Sequence, residues 1–328
     1  MRFLIIVACL ILSFSAVTVA FADKDQFAAL EVAAKKDEPQ KRRGLEIRVI
    51  GGGWGDARPK EIETVLDSVA TILLEHFPGR RLHPILVAHS DEYPIILYKK
   101  GPAGEYQVYL SAKDRNWARY AYEFAHELGH ILSNYDQRGY PNMTTDNQWF
   151  EEALGEVASL YALKRLASVW ELSPHHPLRA AYAREFERYA ERFLEEQHRR
   201  LPPNTSLATW FEQNEDELRG DPYLRCHNEL VANLLLPLFE EYPQFWEAIG
   251  YLHPAAAGGN FQEYMHAWRA NAPQRHKDLI RYIMALFGVL DSGRGTGTAS
   301  LEAREVQPPL KPRSRVDPQS GPAGSTSR

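Results

Sequence analysis

Cysteine is almost absent from this chain: Cys9 and Cys226 are the two it has in 328 residues. Cys9 sits inside a leading apolar run. A chain that sheds that run keeps one thiol with no partner, which excludes a disulfide-stapled fold. A dominant charge of one sign is also missing. Lys and Arg number 38 against 43 Asp and Glu, for a formal net charge of −5, and no basic stripe with interleaved aromatics occurs. Nucleic acid is therefore excluded as the expected partner. The sequence has no Gly-x-Ser-x-Gly elbow, no Walker loop and no internal repeat, which removes the serine-hydrolase and P-loop readings. What remains is a chain long enough for one large domain, or one domain with a helical lobe.

The amino terminus has the features of an export signal. Arg2 supplies a positive start, Phe3 to Val19 is almost wholly apolar, and Ala20-Phe21-Ala22 offers small residues where a signal peptidase reads them. A signal peptide over 1–22 is expected, with the mature chain starting at Asp23. The alternative is an uncleaved amino-terminal anchor, since the run is about long enough to span a bilayer. Under both readings the protein is exported, either secreted or periplasmic, with no other membrane contact. Residues 23–43 are charged and end in Lys41-Arg42-Arg43. They read as a linker or a short pro-segment.

From Leu45 the pattern alternates apolar and polar residues to Ile50, as in a half-buried strand, and Gly51-Gly52-Gly53-Trp54-Gly55 then makes a turn. Pro59–His76 keeps Ile62, Val65, Leu66, Val69, Ile72 and Leu73 on one helical face. Strands are expected at Leu82–Ala88, Ile95–Tyr98 and Tyr106–Ser111, then a helix from Asn116 to Ser133. The fold class is therefore α+β, a small mixed sheet backed by helices, over residues 44–172. Helices at Trp149–Trp170, His176–Arg199, Pro222–Tyr242, Gln244–Tyr251, Asn260–Arg269 and Gln274–Leu290 make up a carboxy-terminal lobe, 173–290. Residues 291–328 are rich in Gly, Pro, Ser and Arg, and a disordered tail is expected there.

The chemistry lies in His126-Glu127-Leu128-Gly129-His130. Two histidines four apart on a helix share one face, so two imidazole nitrogens can reach one metal ion. Glu127, offset around the helix, can meet a water without ligating the metal. This is the donor set of zinc hydrolysis: nitrogen ligands, an open position and a carboxylate base. Tyr122, Phe124, Ala125, Leu128, Ile131 and Leu132 surround the motif with helical periodicity. A third protein ligand is needed, and the next helix opens with Trp149-Phe150-Glu151-Glu152-Ala153-Leu154-Gly155-Glu156.

With those two stretches the chain resembles the gluzincin branch of the zincin metallopeptidases, in which a glutamate from a second helix completes the histidine pair. Trp149-Phe150-Glu151-Glu152 matches the Trp-x-x-Glu form of that helix. The resemblance implies one zinc per chain on His126, His130 and Glu152, with Glu127 as general base. It also implies that Glu156, four residues after the ligand, holds His126, with glutamate in place of the usual aspartate. Glu151, about 100° around the helix from Glu152, is expected to face away. Tyr106–Ser111 becomes the edge strand that takes an extended substrate. The Gly-x-Met-Glu-Asn signature of aminopeptidase-N-like members is absent, which argues against that specialisation. The resemblance spans roughly Leu45 to Leu160 as architecture and two short stretches as motif.

Three further places are candidates. Asp136 is an alternative oxygen ligand, although no glycine turns the chain back toward the metal. His175-His176 reads as a solvated pair. Tyr223 and His227 stand four apart at the start of the Pro222–Tyr242 helix, and one of them is expected to donate to the oxyanion, preferably Tyr223, as the gluzincin arrangement implies. The expected function is zinc-dependent hydrolysis of peptide or protein substrates. The alternative is a non-catalytic zincin-fold scaffolding protein of the cell envelope.

Overall fold

The computed structural model describes residues 45–134, 145–172, 177–252 and 259–290. The expected signal (1–22), linker (23–43), Asp136, His175-His176 and tail (291–328) lie outside the described residues. Strand β1 (Ile47–Val49) buries Ile47 and Val49 and exposes Arg48, as its alternation requires. Helix α1 (Pro59–Leu74) starts on Pro59, and Glu61 reaches back to the Arg58 N–H at 3.0 Å. Its face of Ile62, Val65, Leu66, Val69, Ile72 and Leu73 is buried. Strands β2 (Ile85–His89), β3 (Ile95–Ile96) and β4 (Tyr106–Leu110) complete a four-stranded mixed sheet in the order β1-β2-β4-β3. The pairs β1–β2 and β2–β4 are parallel, whereas β3 runs antiparallel to β4 with Ile96 opposite Val108.

This topology corrects one expectation. The Tyr106–Leu110 strand is interior, flanked by β2 and β3, and its Val108 and Leu110 are fully buried. The edges are β1 and β3, and the edge on the β4 side is β3. The chain between the parallel neighbours β2 and β4 turns back on itself before entering β4, and that returning segment covers β4's outer side. A two-residue strand preceded by Pro94 suits an edge, where a proline costs no ladder bond.

Helix α2 (Trp117–Leu132) carries the His126–His130 motif, and α3 (Gln148–Glu171) follows it. Nearly every residue of α3 from Gln148 to Leu163 is buried, as befits a central helix packed on several sides. It touches α2, then α4 (Pro177–Leu194) and α6 (Arg225–Glu241). Fully burying side chains such as Leu128 and Ile131 stabilises by about 1.5–3 kcal/mol each, so packing sets the place of α2. Helix α5 (Leu207–Gly220) lies in a stretch with no expected element. The Ser206 hydroxyl caps it by accepting from the Thr209 N–H at 3.1 Å. Short α7 (Trp246–Ile249), α8 (Phe261–Asn271) and α9 (Gln274–Leu286) close the lobe. Trp149 is core, its ring against Phe150, Phe211, Phe261 and Phe287.

No helix among the described residues is long and apolar enough to cross a membrane.

Candidate metal centre

Helices α2 and α3 cross where both carry glycine. A Cβ on Gly129 would stand 3.3 Å from the Cα of Gly155 and from the Cβ of Ala158. A pair of glycines lets two helix backbones approach this closely, since no side chain intervenes. The close crossing brings His126 and His130 of α2 against Glu152 of α3. Glu152 Oε2 lies 3.2 Å from His126 Nε2 and 3.4 Å from His130 Nε2. One ligand atom from each of the three residues falls within 4.8 Å of the others. The imidazole rings stand 4.9 Å apart at 72°.

The local field favours a cation. Burial pushes the Glu152 carboxyl up, but His130 and His126 outweigh it and hold the group well below the usual carboxylate range. Burial pulls His126 down, while Glu152, Glu127 and Glu156 raise it to about 9. A place that holds a proton so firmly also suits a divalent ion. Two imidazole nitrogens and one carboxylate oxygen are donors that zinc accepts. The residues therefore fit the ion that the motif implies.

Glu127 is buried beside this group. Burial raises its pKa, opposed by His126, His130 and the backbone N–H of Ile96. Leu97 donates its N–H to Gln107 on β4 at 2.9 Å, so the alternate residue Ile96 turns its backbone to the open side of β3, as antiparallel pairing requires. The edge strand thus presents its main chain to the candidate base. A buried carboxylate at this place can take and return a proton.

Several anchors hold α2 in place. Glu123, one turn before His126, accepts from the Ser111 N–H (2.8 Å), the Ser111 hydroxyl (2.9 Å), the Ala112 N–H (3.0 Å) and Arg119 Nε (2.7 Å). It latches the end of β4 to the helix. At the other end, Arg80 donates to the carbonyls of Leu132 at 2.5 Å and Ile131 at 2.9 Å, in the last turn, where a helix runs short of its own N–H partners.

The remaining expected site residues divide. Glu151 does turn away from the histidines, and its carboxylate accepts from the Tyr264 hydroxyl at 3.0 Å. Glu156 does not hold His126. Its Oε1 accepts from Arg199 Nη1 at 2.8 Å and its Oε2 from the Tyr122 hydroxyl. The glutamate is one methylene longer than aspartate, and Arg199, fully buried, needs the charge. Tyr223 lies in a turn before α6, which begins at Arg225 and not at Pro222. Tyr223 and His227 therefore do not share a helical face. The Tyr223 hydroxyl accepts from Gln148 Nε2 at 2.9 Å, and that nitrogen is also 3.3 Å from Glu152 Oε1. His227 points to α5, with its Nε2 3.1 Å from Asn214 Oδ1 and its ring on Trp210.

A second group among the described residues, Glu196, His198 and Glu229, also gathers three potential ligand atoms. Arg199 lies 3.0 Å from Glu196 and 3.1 Å from Glu229, and Arg225 lies 2.6 Å from Glu229. Two guanidinium charges already satisfy these carboxylates and oppose a metal ion.

Sequence reading missed Gly155, Glu123, Gln148 and Arg199. The last two are polar residues at the boundary or outside of apolar-periodic segments, and periodicity gives no sign of them. Gly155 was legible as a glycine inside a helix, which marks a close approach. No protein-family model matches the chain, and comparison with curated proteins gives no match.

Proposed function

We infer that the protein is an exported zinc metallopeptidase of the gluzincin type, hydrolysing peptide bonds with Glu127 as general base. The observation that carries the reading is the meeting of His126, His130 and Glu152 donor atoms from two crossing helices, with Glu127 buried beside them. His126, His130 and Glu152 would hold the zinc. The bound ion supplies Lewis acidity, polarising a carbonyl and lowering the pKa of water to about 7. Glu127 accepts the proton of the attacking water and passes it to the leaving nitrogen. The open side of β3 receives an extended substrate by strand addition. The Tyr223 hydroxyl donates to the developing oxyanion.

The test is metal analysis of the purified protein together with hydrolysis of an unfolded protein substrate, with and without chelator. One zinc per chain and chelator-sensitive cleavage are expected. Glu127→Gln should keep the zinc and abolish turnover. A Glu127→Gln variant cleaving at the parent rate overturns the reading, as does a zinc-loaded parent with no hydrolytic activity.

A further inference from the structure

The Gln148 amide sits between the Glu152 carboxylate and the Tyr223 hydroxyl. Gln148 is fully buried at the first turn of α3, one turn before Glu152. Its Nε2 is 2.9 Å from the Tyr223 hydroxyl oxygen and 3.3 Å from Glu152 Oε1. An ionised carboxylate only accepts hydrogen bonds, so it fixes which end of the amide faces it. The reverse orientation would set two acceptor oxygens against each other. The amide has two N–H groups: one goes to Glu152 and the other to the oxygen of Tyr223. Tyr223 therefore accepts from Gln148, and its own O–H proton must be directed elsewhere. Tyr223 is 62% exposed. The buried amide of Gln148 occupies one lone pair of that hydroxyl.

We propose that Gln148 is a positioning residue for the reaction: it sets the Tyr223 hydroxyl as a hydrogen-bond donor toward the substrate oxyanion and couples it to Glu152. The proposal rests on the peptidase reading above. Gln148 itself touches neither substrate nor reacting atoms. A hydroxyl whose lone pair is already taken by an amide N–H is oriented before substrate arrives, and preorganised donors are the ones that stabilise a transition state most. A glutamate at position 148 would reverse this. It would accept the tyrosine proton and place a second negative charge beside Glu152.

The experiment is a double-mutant cycle on the zinc-loaded protein. Gln148→Met keeps the length of the side chain and removes the donor, and Gln148→Glu serves as a second variant should the first fold poorly. Three quantities are read: kcat and KM on a peptide, affinity for a phosphonopeptide that mimics the tetrahedral intermediate, and zinc affinity by competition with a chromophoric chelator. Gln148→Met should lower kcat by about 10²–10³, as losing one oxyanion donor does, with KM little changed. Phosphonopeptide affinity should weaken in step. In a Tyr223→Phe background the same change should cost less than about threefold, because coupled residues are non-additive. Zinc affinity should fall by no more than about tenfold, the low end of the range for a residue that supports a ligand.

Equal losses in both backgrounds would overturn the proposal, since the amide would then act without the tyrosine. A parent protein that binds zinc but hydrolyses nothing would sink the peptidase reading instead. In that case the cycle in phosphonopeptide affinity still decides whether Gln148 and Tyr223 act together.

Discussion

A Cβ on Gly155 would stand 2.9 Å from Cε1 of His126 and 3.0 Å from both ring nitrogens. The imidazole lies flat over the one position of α3 that has no side chain. Metal binding and helix propensity therefore oppose each other at this residue. Gly155→Ala should favour the helix by up to about 1 kcal/mol in intrinsic terms, while the added methyl displaces the His126 ring. We expect unchanged or higher thermal stability without metal and zinc affinity weakened by about 10–100-fold, comparable to losing a residue that orients a ligand. Calorimetry and chelator competition measure the two effects separately. A variant that binds zinc as the parent does would show that the ring has room to move.

Glu152→Ala should lose the zinc outright, because two histidines alone leave the set one protein ligand short. Glu156→Ala should do something else. Its carboxylate serves Arg199 and Tyr122, and Arg199 is fully buried. Removing one partner of a buried ion pair typically costs about 3–5 kcal/mol, although Glu196 and Glu229 still neutralise part of the charge. The expected result is a large fall in denaturation midpoint with zinc stoichiometry kept near one. Denaturant titration and metal analysis distinguish this from the effect of Glu152→Ala.

The contrast between Glu152 and Glu156 shows what was legible in the sequence. The motif helix and its two histidines could be read because a spacing of four on a helix dictates direction, and Glu152, expected from the family resemblance, lies with them in the structure. Partners from distant segments could not be read. Arg199 follows α4 by five residues and nothing local marks it as the cation that Glu156 needs. Strands were expected near their observed places, but their order was not, since the same β2–β3–β4 sequence is compatible with either β3 or β4 at the edge. Helix α5 escaped notice because its buried face is thin: Leu207, Trp210, Phe211 and Leu218 in a run otherwise polar. The turn at Tyr223 was read as helix because Pro222 is as acceptable at a helix start as in a turn.

Glu123 gives a prediction about activity without contact with substrate. It latches Ser111 and Ala112 at the end of β4 to α2, one turn before His126. Glu123→Gln keeps the shape, but one acceptor becomes a donor facing N–H groups. The expected outcome is a destabilisation of about 1–3 kcal/mol, the cost of leaving buried donors unsatisfied. Turnover should fall more than zinc content, since the latch governs how the motif helix meets the sheet while His126, His130 and Glu152 remain set by the α2–α3 crossing. Denaturation curves and metal-normalised kcat read the two effects.

His227 makes the lobe sensitive to acid. Burial holds its pKa below the ordinary 6.5, and Glu217, 3.8 Å away, opposes this only in part. In the unfolded chain the ring titrates near its ordinary value, so below that pH the unfolded state binds the extra proton first. A group with a depressed folded pKa contributes stability above its unfolded pKa and loses it as the pH falls through the folded value. The contribution of His227 is thus complete above about pH 6.5 and declines below it. His227→Gln cannot take up the proton and can still reach Asn214. Its unfolding midpoint should fall less steeply between pH 7 and pH 5 than that of the parent, while zinc content at pH 7 stays the same because His227 faces α5. A steeper fall in the variant would mean that the ring is protonated more readily in the folded protein than in the unfolded chain, and the sign of the argument would be reversed.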